Sequence, residues 1–151
     1  MPKIWKVFLS GEIHSDWRKK VMTACKRAKL PVEFYSPNTD HAASDACGAK
    51  ILGHEENKFW YDHKGASLNA IHNKVLIEDA DIVIVRFGEK YKQWNAAFDA
   101  GYAAALGKPL IVQHSDEHIH ALKEVDSYAR AVATTDKQLA QILKYLITGK
   151  L

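Results

Sequence analysis

Runs of apolar residues alternate with amphipathic segments along this chain, and the alternation predicts strands separated by helices. Five runs are predicted to be strands: Ile4 to Ser10 (ending at Gly11), Val32 to Tyr35, Ile82 to Phe87, Leu110 to Val112, and a weak one at Ala131 to Ala133. The third run is almost unbroken, which is typical of a strand covered by helices on both faces.

Spacing and capping signals predict the helices between these strands. The predicted helices are Trp17 to about Lys29, Trp94 to Leu106 with a stop at Gly107, a short one beginning near Ser115, and a last one opened by the capping-box pair Thr135 and Gln138. A further helix capped by Ser67 is predicted to turn a stripe toward the core, consisting of Leu68, Ile71, His72, Val75 and Leu76.

Strands that alternate with helices through right-handed crossovers indicate the α/β class. The most economical arrangement is a three-layer, flavodoxin-like (Rossmann-like) fold. Its parallel five-stranded sheet has the order 2-1-3-4-5, with helices on both faces. We expect a single domain over residues 1–151.

Residues 37–65 show no convincing period and are predicted to form a long loop. A connection of that length inside a compact domain indicates a lid, a binding loop or a subunit contact. The segment ends in the aromatic trio Phe59, Trp60 and Tyr61. These side chains either cover a substrate or bury themselves against the sheet or a second subunit, and the sequence leaves both alternatives open.

Composition narrows the class of protein. With 47% hydrophobic and 26% charged residues the chain has ordinary globular usage. The net charge of +3 is scattered, so we expect no nucleic acid partner. No apolar run approaches the roughly 18 residues of a membrane span, so no membrane association is expected. Cys25 and Cys47 form no disulfide framework and no secretory signal is present, so we expect a cytoplasmic protein.

Asp99 is the residue that most needs an explanation. It lies among Ala, Phe and Gly on a helix expected to pack on the sheet, where a charge needs a partner or a use. Ligands bind at the carboxyl ends of parallel strands, which is where we expect this acid. Asn95 and Tyr102 lie about one turn to either side and could share its face. The alternative is a structural acid that accepts hydrogen bonds from Asn95 or a strand-end amide.

Other polar residues are also expected near the strand ends. Arg86 and Glu89 follow the third strand and are expected near the mouth of a site, either as ligand contacts or as a solvated ion pair. His114, His118 and His120, with Asp116 and Glu117, have no set geometry because Ser115 is a helix cap between them. We therefore expect neither a metal nor a cofactor.

Three passages resemble the nucleoside 2-deoxyribosyltransferase family, and within it the YtoQ subgroup. They are Val7-Phe8-Leu9-Ser10-Gly11, Ala80-Asp81-Ile82-Val83-Ile84-Val85, and Phe98-Asp99-Ala100-Gly101-Tyr102-Ala103 with Gly107-Lys108-Pro109. The resemblance implies that Asp99 takes the place of the family's nucleophile, which attacks the anomeric carbon of a nucleoside sugar and expels the base. It also implies that Ser10, Gly11 and Glu12 contact the sugar or base, and that the chain forms a homo-oligomer.

The chain also departs from the family pattern. Neutral Gln93 and Asn73 stand where the family often has acids, and Asp99 is a shorter acid than the usual Glu. Without like charges nearby, we expect Asp99 to ionise more easily. The predicted function is N-glycosidic bond cleavage or transfer on a small nucleoside or nucleotide, with Asn73, Gln93 and Asn95 orienting it. The alternative is a non-catalytic module that binds or senses a nucleoside derivative.

Overall fold

The computed structural model describes residues 2–151 and contains one parallel sheet of five strands in the order β2-β1-β3-β4-β5. The strands are β1 (Trp5–Gly11), β2 (Val32–Tyr35), β3 (Ile82–Arg86), β4 (Leu110–Gln113) and β5 (Ala131–Ala133). The helices are α1 (Trp17–Arg27), α2 (His41–Leu52), α3 (Lys58–Asp79), α4 (Trp94–Ala105), α5 (Lys123–Tyr128) and α6 (Asp136–Thr148), with a 3-10 turn at Asp116–His118. The predicted fold class and strand order are confirmed.

Helices cover both faces of the sheet, so β1, β3 and β4 are apolar on both sides. The cluster on one face joins these strands to α1 and α6 through Trp17, Val21 and Leu139. The cluster on the other face joins them to α3, α4 and α5. Here the contacts from α4 are small side chains, Ala96 and Ala100 among them, which let that helix lie close to the sheet.

The prediction of an irregular loop over residues 37–65 is wrong. This segment contains all of α2 and the first turns of α3. Each helix begins at a side-chain cap, since Asp40 accepts from the Ala43 amide and Asn57 from the Trp60 amide. Ser67 lies in the middle of α3 and caps nothing, so that prediction is wrong as well.

The missing period in α2 has a physical reason. The helix packs on α3, and neither core cluster of the sheet includes one of its residues. The two helices meet at glycines: a Cβ on Gly48 would lie 2.3 Å from the Gly65 amide nitrogen. A helix that is buried through a glycine contact needs no apolar stripe, so a search for amphipathic spacing misses it.

The stripe predicted on α3 is also only partly buried. Leu68 and Leu76 are half-buried, but Ile71 and Val75 are 59% and 56% exposed and His72 is exposed too. The face turned inward carries Gly65 and Ile77 instead. No helix of the described residues is both long and apolar enough to cross a membrane.

Candidate functional site

The candidate site lies at the carboxyl ends of β1 and β3, which are adjacent in the sheet. Ser10 pairs with Val85 and Gly11 with Arg86 in the register of these strands. The chain leaves β1 toward α1 on one face and leaves β3 toward α4 on the other. Ligands usually bind where the chain diverges in this way at the carboxyl ends of parallel strands.

Asp99 reaches the carboxyl ends of these strands from the second turn of α4 and is 7% exposed. The Ser10 hydroxyl, itself buried at the end of β1, donates to Asp99 Oδ2 at 2.6 Å. The hydrogen bond therefore comes from a serine of the first strand, and neither Asn95 nor a strand-end amide supplies it. The structure brings together Asp99 and Ser10, two residues that the sequence selected separately.

Burial raises the pKa of Asp99 above its usual value, and the Ser10 hydrogen bond lowers it only in part. The expectation that Asp99 ionises more easily is wrong. Removing like charges does favour the carboxylate, but desolvation between α4 and the sheet is the larger effect. The site holds an acid of increased basicity, oriented by a single hydroxyl.

Gly11 keeps β1 and β3 close together at the rim. Its φ of 112° is a value that other residues rarely adopt, and an added Cβ would lie 2.0 Å from the Arg86 carbonyl oxygen. Only glycine fits there without moving the strand. The position of Ser10, the preceding residue, depends on this fit.

Glu12 is a structural acid. Its buried carboxylate accepts hydrogen bonds from the Ser15 amide and hydroxyl, both at 2.6 Å, from the His14 amide, and from Arg86 at 2.6 Å. Burial raises its pKa, but the hydrogen bonds of Ser15 and His14 and the charge of Arg86 outweigh burial, so the net pKa is lowered. A carboxylate with its acceptor sites filled in this way holds the turn after β1 and is not placed to contact a sugar.

Arg86 lies between two carboxylates. Its guanidinium contacts Glu12 Oε2 at 2.6 Å, and its Nε lies 3.4 Å from Asp136 Oδ1. The ion pair between Arg86 and Glu89 that the sequence allows is not present. Arg86 thus joins the turn after β1 to the start of α6, on the face of the sheet opposite to α4.

Arg18 is a further residue of the rim, and the sequence analysis missed it. Its guanidinium donates to the backbone carbonyls of Leu9, Gly11 and Glu12 at 2.7 to 3.2 Å. Burial lowers its pKa to about 10, so it stays charged at neutral pH. In the sequence this arginine is part of a basic run on α1, and nothing distinguishes it from the exposed cations beside it.

Gly88, which the sequence analysis also missed, joins the loop after β3 to α4. Its amide donates to Gln93 Oε1 at 2.9 Å, and its carbonyl oxygen lies 3.3 Å from His118 Nε2. Gln93 thus holds the loop that leads into α4. In the same loop the ring of Tyr91 contacts that of His14 with centroids 4.7 Å apart, so the loops after β1 and β3 meet over the rim.

Three predicted site residues make no hydrogen bond with Asp99. Asn95 is exposed on the first turn of α4. Tyr102 donates from its hydroxyl to Glu78 Oε1 on α3 at 2.5 Å, which turns it away from the strand ends. Asn73 is half-buried on α3, and its Oδ1 is buried without a hydrogen-bond partner.

The histidines after β4 take structural contacts. His114 is buried, with Nε2 2.7 Å from Asp126 Oδ2 and Nδ1 2.7 Å from the Ser115 carbonyl oxygen. Its ring lies 6.5 Å from that of His118. Across residues 2–151, no three His, Cys, Asp or Glu side chains are grouped so as to hold a metal ion.

The family model described as "Nucleoside 2-deoxyribosyltransferase YtoQ" matches residues 8–147. YtoQ of Bacillus subtilis (strain 168) is 44% identical over 140 residues, covering 93% of this chain and 95% of that protein.

Two solved structures share the fold. A conserved protein from Enterococcus faecalis V583 superposes with a TM-score of 0.65 at 13% identity, covering 95% of this chain and 99% of the other. A 2-deoxyribosyltransferase from Bacillus psychrosaccharolyticus superposes with a TM-score of 0.53 at 17% identity, covering 89% and 90% of the two chains. At these identities the superpositions show the architecture alone.

Proposed function

This chain belongs to the nucleoside 2-deoxyribosyltransferase YtoQ family, and we propose that it cleaves or transfers the N-glycosidic bond of a cytoplasmic nucleoside or nucleotide with Asp99 as the nucleophile. The observation that carries the proposal is the position of one acid. Asp99 is 93% buried at the carboxyl ends of adjacent parallel strands and is oriented by Ser10. A buried acid whose pKa is raised, at the carboxyl ends of parallel strands, is typical of a reacting group.

In this proposal the two oxygens of the Asp99 carboxyl group have different roles. Ser10 donates to Oδ2, so Oδ1 is the oxygen that attacks the anomeric carbon. A bond forms between Oδ1 and that carbon while the bond from carbon to the base nitrogen breaks. The electron pair leaves with the base, which takes a proton from water, and an acyl-linked sugar remains on Asp99.

The second step decides the reaction class. Water that attacks the anomeric carbon releases the free sugar and restores the carboxylate, which is hydrolysis. A second base that attacks the same carbon gives a new nucleoside, which is transfer. Both steps use the same intermediate, so Asp99 is required for either.

The surroundings of Asp99 suit a sugar and base better than a polyphosphate. β1 ends in a single glycine, Gly11, and the turn after it carries the buried carboxylate of Glu12, unlike a phosphate-binding loop. The neutral amides Gln93 and Asn95 begin α4, one to two turns before Asp99. In this proposal Asn95 contacts the sugar or base directly, and Gln93 acts by holding the Gly88 loop.

Two observations favour the alternative, a non-catalytic module that binds a nucleoside derivative. The raised pKa of Asp99 favours the protonated acid, which donates a hydrogen bond instead of attacking carbon. Gln93 is bonded within the protein at Gly88 and stands where the family often has an acid. Binding without release of base distinguishes this function from the first.

The proposal includes a homo-oligomer in which α2 and the start of α3 act as a lid or a subunit contact. Trp94 and Phe98 are 78% and 73% exposed along α4 beside Asp99, and Phe59 and Trp60 are exposed at the start of α3. Apolar side chains of this size in solvent are typical of an interface. A light-scattering mass equal to one chain contradicts this part of the proposal.

The test is release of free base from a panel of deoxynucleosides, ribonucleosides and their monophosphates, followed by chromatography. We expect turnover of at least one substrate, and a loss of at least about a hundredfold in Asp99→Asn. Asp81→Asn is the matched control, because Asp81 is a partly buried acid at the amino end of β3, away from Asp99, where it accepts a hydrogen bond from the Lys6 amide at 2.8 Å. Undiminished turnover in Asp99→Asn refutes the proposal that Asp99 is the nucleophile. Stabilisation of the protein by a nucleoside, with no base released, establishes the binding module instead.

A further inference from the structure

A cleft of about 370 Å³ lies between α1 and α6, on the face of the sheet opposite to α4 and Asp99. Its inner wall is made of small and apolar side chains, Ala24, Ala28, Leu30 and Ala140. The volume is in the range of small-molecule sites. Alanines on the facing helices leave this space because they fill less of the seam than larger side chains do.

The charge around the cleft is mostly positive. Lys20, Lys137 and Lys144 contribute three ammonium groups, and Asp136 is the single acid of the lining. The ammonium of Lys144 already donates to the Leu151 carbonyl oxygen at 2.9 Å, which leaves Lys20 and Lys137 as the cations available to an anion. The carboxylate of Asp136 already has partners, since Gln113 Nε2 donates to it at 3.0 Å and Arg86 Nε lies 3.4 Å away. Lys20 contacts Asp16 at 3.3 Å, but both side chains are more than 60% exposed, so that pair is weak.

We propose that the α1–α6 cleft is a binding site for a small organic anion, a molecule that joins a phosphate, sulfonate or carboxylate group to a flat or apolar body. The anionic group meets the lysines at the rim, and the body lies on the alanine wall. A divalent cation is repelled by the same lysines, and a neutral nucleoside gains nothing from them. The site is separate from Asp99 and does not depend on the function proposed for that residue.

The experiment titrates the intact chain at low ionic strength with 8-anilinonaphthalene-1-sulfonate, which carries one sulfonate on an apolar aromatic body, and follows its fluorescence. N-phenyl-1-naphthylamine has the same body without the charge and serves as the neutral probe. We expect one equivalent of the sulfonate to bind, at least about tenfold more tightly than the neutral probe, with an affinity that falls as salt is added.

Charge variants locate the site. Lys20→Glu/Lys137→Glu is expected to weaken sulfonate binding at least about tenfold, while the control Lys19→Glu/Lys26→Glu makes the same change of charge on α1 outside the cleft and stays within about threefold of the unchanged chain. Equal losses in the two double variants, or no loss in either, overturn the proposal.

A larger side chain in the cleft tests whether the sulfonate binds there. Ala140→Leu places extra carbons on the inner wall and is expected to weaken binding of the sulfonate at least about fivefold, with the melting temperature measured alongside to confirm folding. Asp99→Asn is expected to bind the sulfonate as the unchanged chain does. Loss of binding in Asp99→Asn, retention in Ala140→Leu, or no binding by the unchanged chain refutes the site.

Discussion

Replacing Gly11 by alanine tests whether the contact between β1 and β3 at the rim sets the geometry of the site. An added Cβ would lie 2.0 Å from the Arg86 carbonyl oxygen, where real Cβ atoms essentially never come within 3.0 Å. The strands must therefore separate locally by about 1 Å. Because Ser10 precedes Gly11, its hydroxyl moves relative to Asp99, which it now contacts at 2.6 Å.

Two costs add in Gly11→Ala. The positive φ costs roughly 1–2 kcal/mol for a residue with a Cβ. The overlap with a backbone carbonyl cannot be relieved by turning a side chain and costs roughly a further 1–3 kcal/mol. We expect the free energy of unfolding to fall by roughly 2–5 kcal/mol in all, measured from urea denaturation with both the midpoint and the slope fitted.

The chain supplies a matched control for the backbone strain. Gly53 has a φ of 110°, almost that of Gly11, but an added Cβ there meets nothing within 4 Å. Gly53→Ala is therefore expected to show the strain alone, about 1–2 kcal/mol. Base release is expected to fall about a hundredfold in Gly11→Ala, as for a misplacement of 1 Å, and to be unchanged in Gly53→Ala. If the two variants are equally stable and equally active, the rim contact does not position Ser10.

Three further predictions concern the same rim. Burial raises the pKa of Asp99 above 3.8, so the contribution of this acid to stability is complete below about pH 4 and is lost as pH rises through the folded-state pKa. The free energy of unfolding of Asp99→Asn should therefore increase with pH relative to that of the unchanged chain. A difference that is independent of pH contradicts the burial argument. Ser10→Ala removes the hydrogen bond that lowers this pKa, so the acidic limb of the base-release pH profile should move to higher pH, and an unmoved limb means that the hydroxyl does not tune the acid. In Gly88→Ala the added Cβ would lie 2.5 Å from Glu12 Cγ, and Glu12 cannot move away because its carboxylate is fixed by hydrogen bonds. We expect the free energy of unfolding, measured by thermal melting, to fall by roughly 1–3 kcal/mol. A melting temperature within error of that of the unchanged chain contradicts this prediction.

The sheet and its order could be predicted because each strand carries its own signal and the segments between strands are long enough for crossover helices. The unbroken run in β3 and the capping box at Thr135 are local features, and both are present in the structure. The helix α2 could not be predicted this way, because its burial depends on Gly48 meeting Gly65, a contact between separate segments. Spacing along one helix carries no information about such a contact.

The candidate site, like the fold, could be predicted only in part. Asp99 and Ser10 could each be selected from residue type and expected position, since an acid among small residues and a strand-end hydroxyl are visible in the sequence. Three other features depend on how the loops fold back over the rim. They are the hydrogen bond between Ser10 and Asp99, the hydrogen bonds that Glu12 accepts, and those that Arg18 donates to backbone carbonyls. The predicted direction of the pKa shift of Asp99 was wrong, because the degree of burial cannot be read from neighbours in the sequence.

The most direct test of the central claim is mass spectrometry of the protein quenched in acid during turnover of a nucleoside. Attack by Asp99 predicts an added mass equal to one sugar residue, located by peptide mapping to Asp99 and absent in Asp99→Asn. A sugar found on another side chain, or base release that continues in Asp99→Asn with no adduct, would contradict the account.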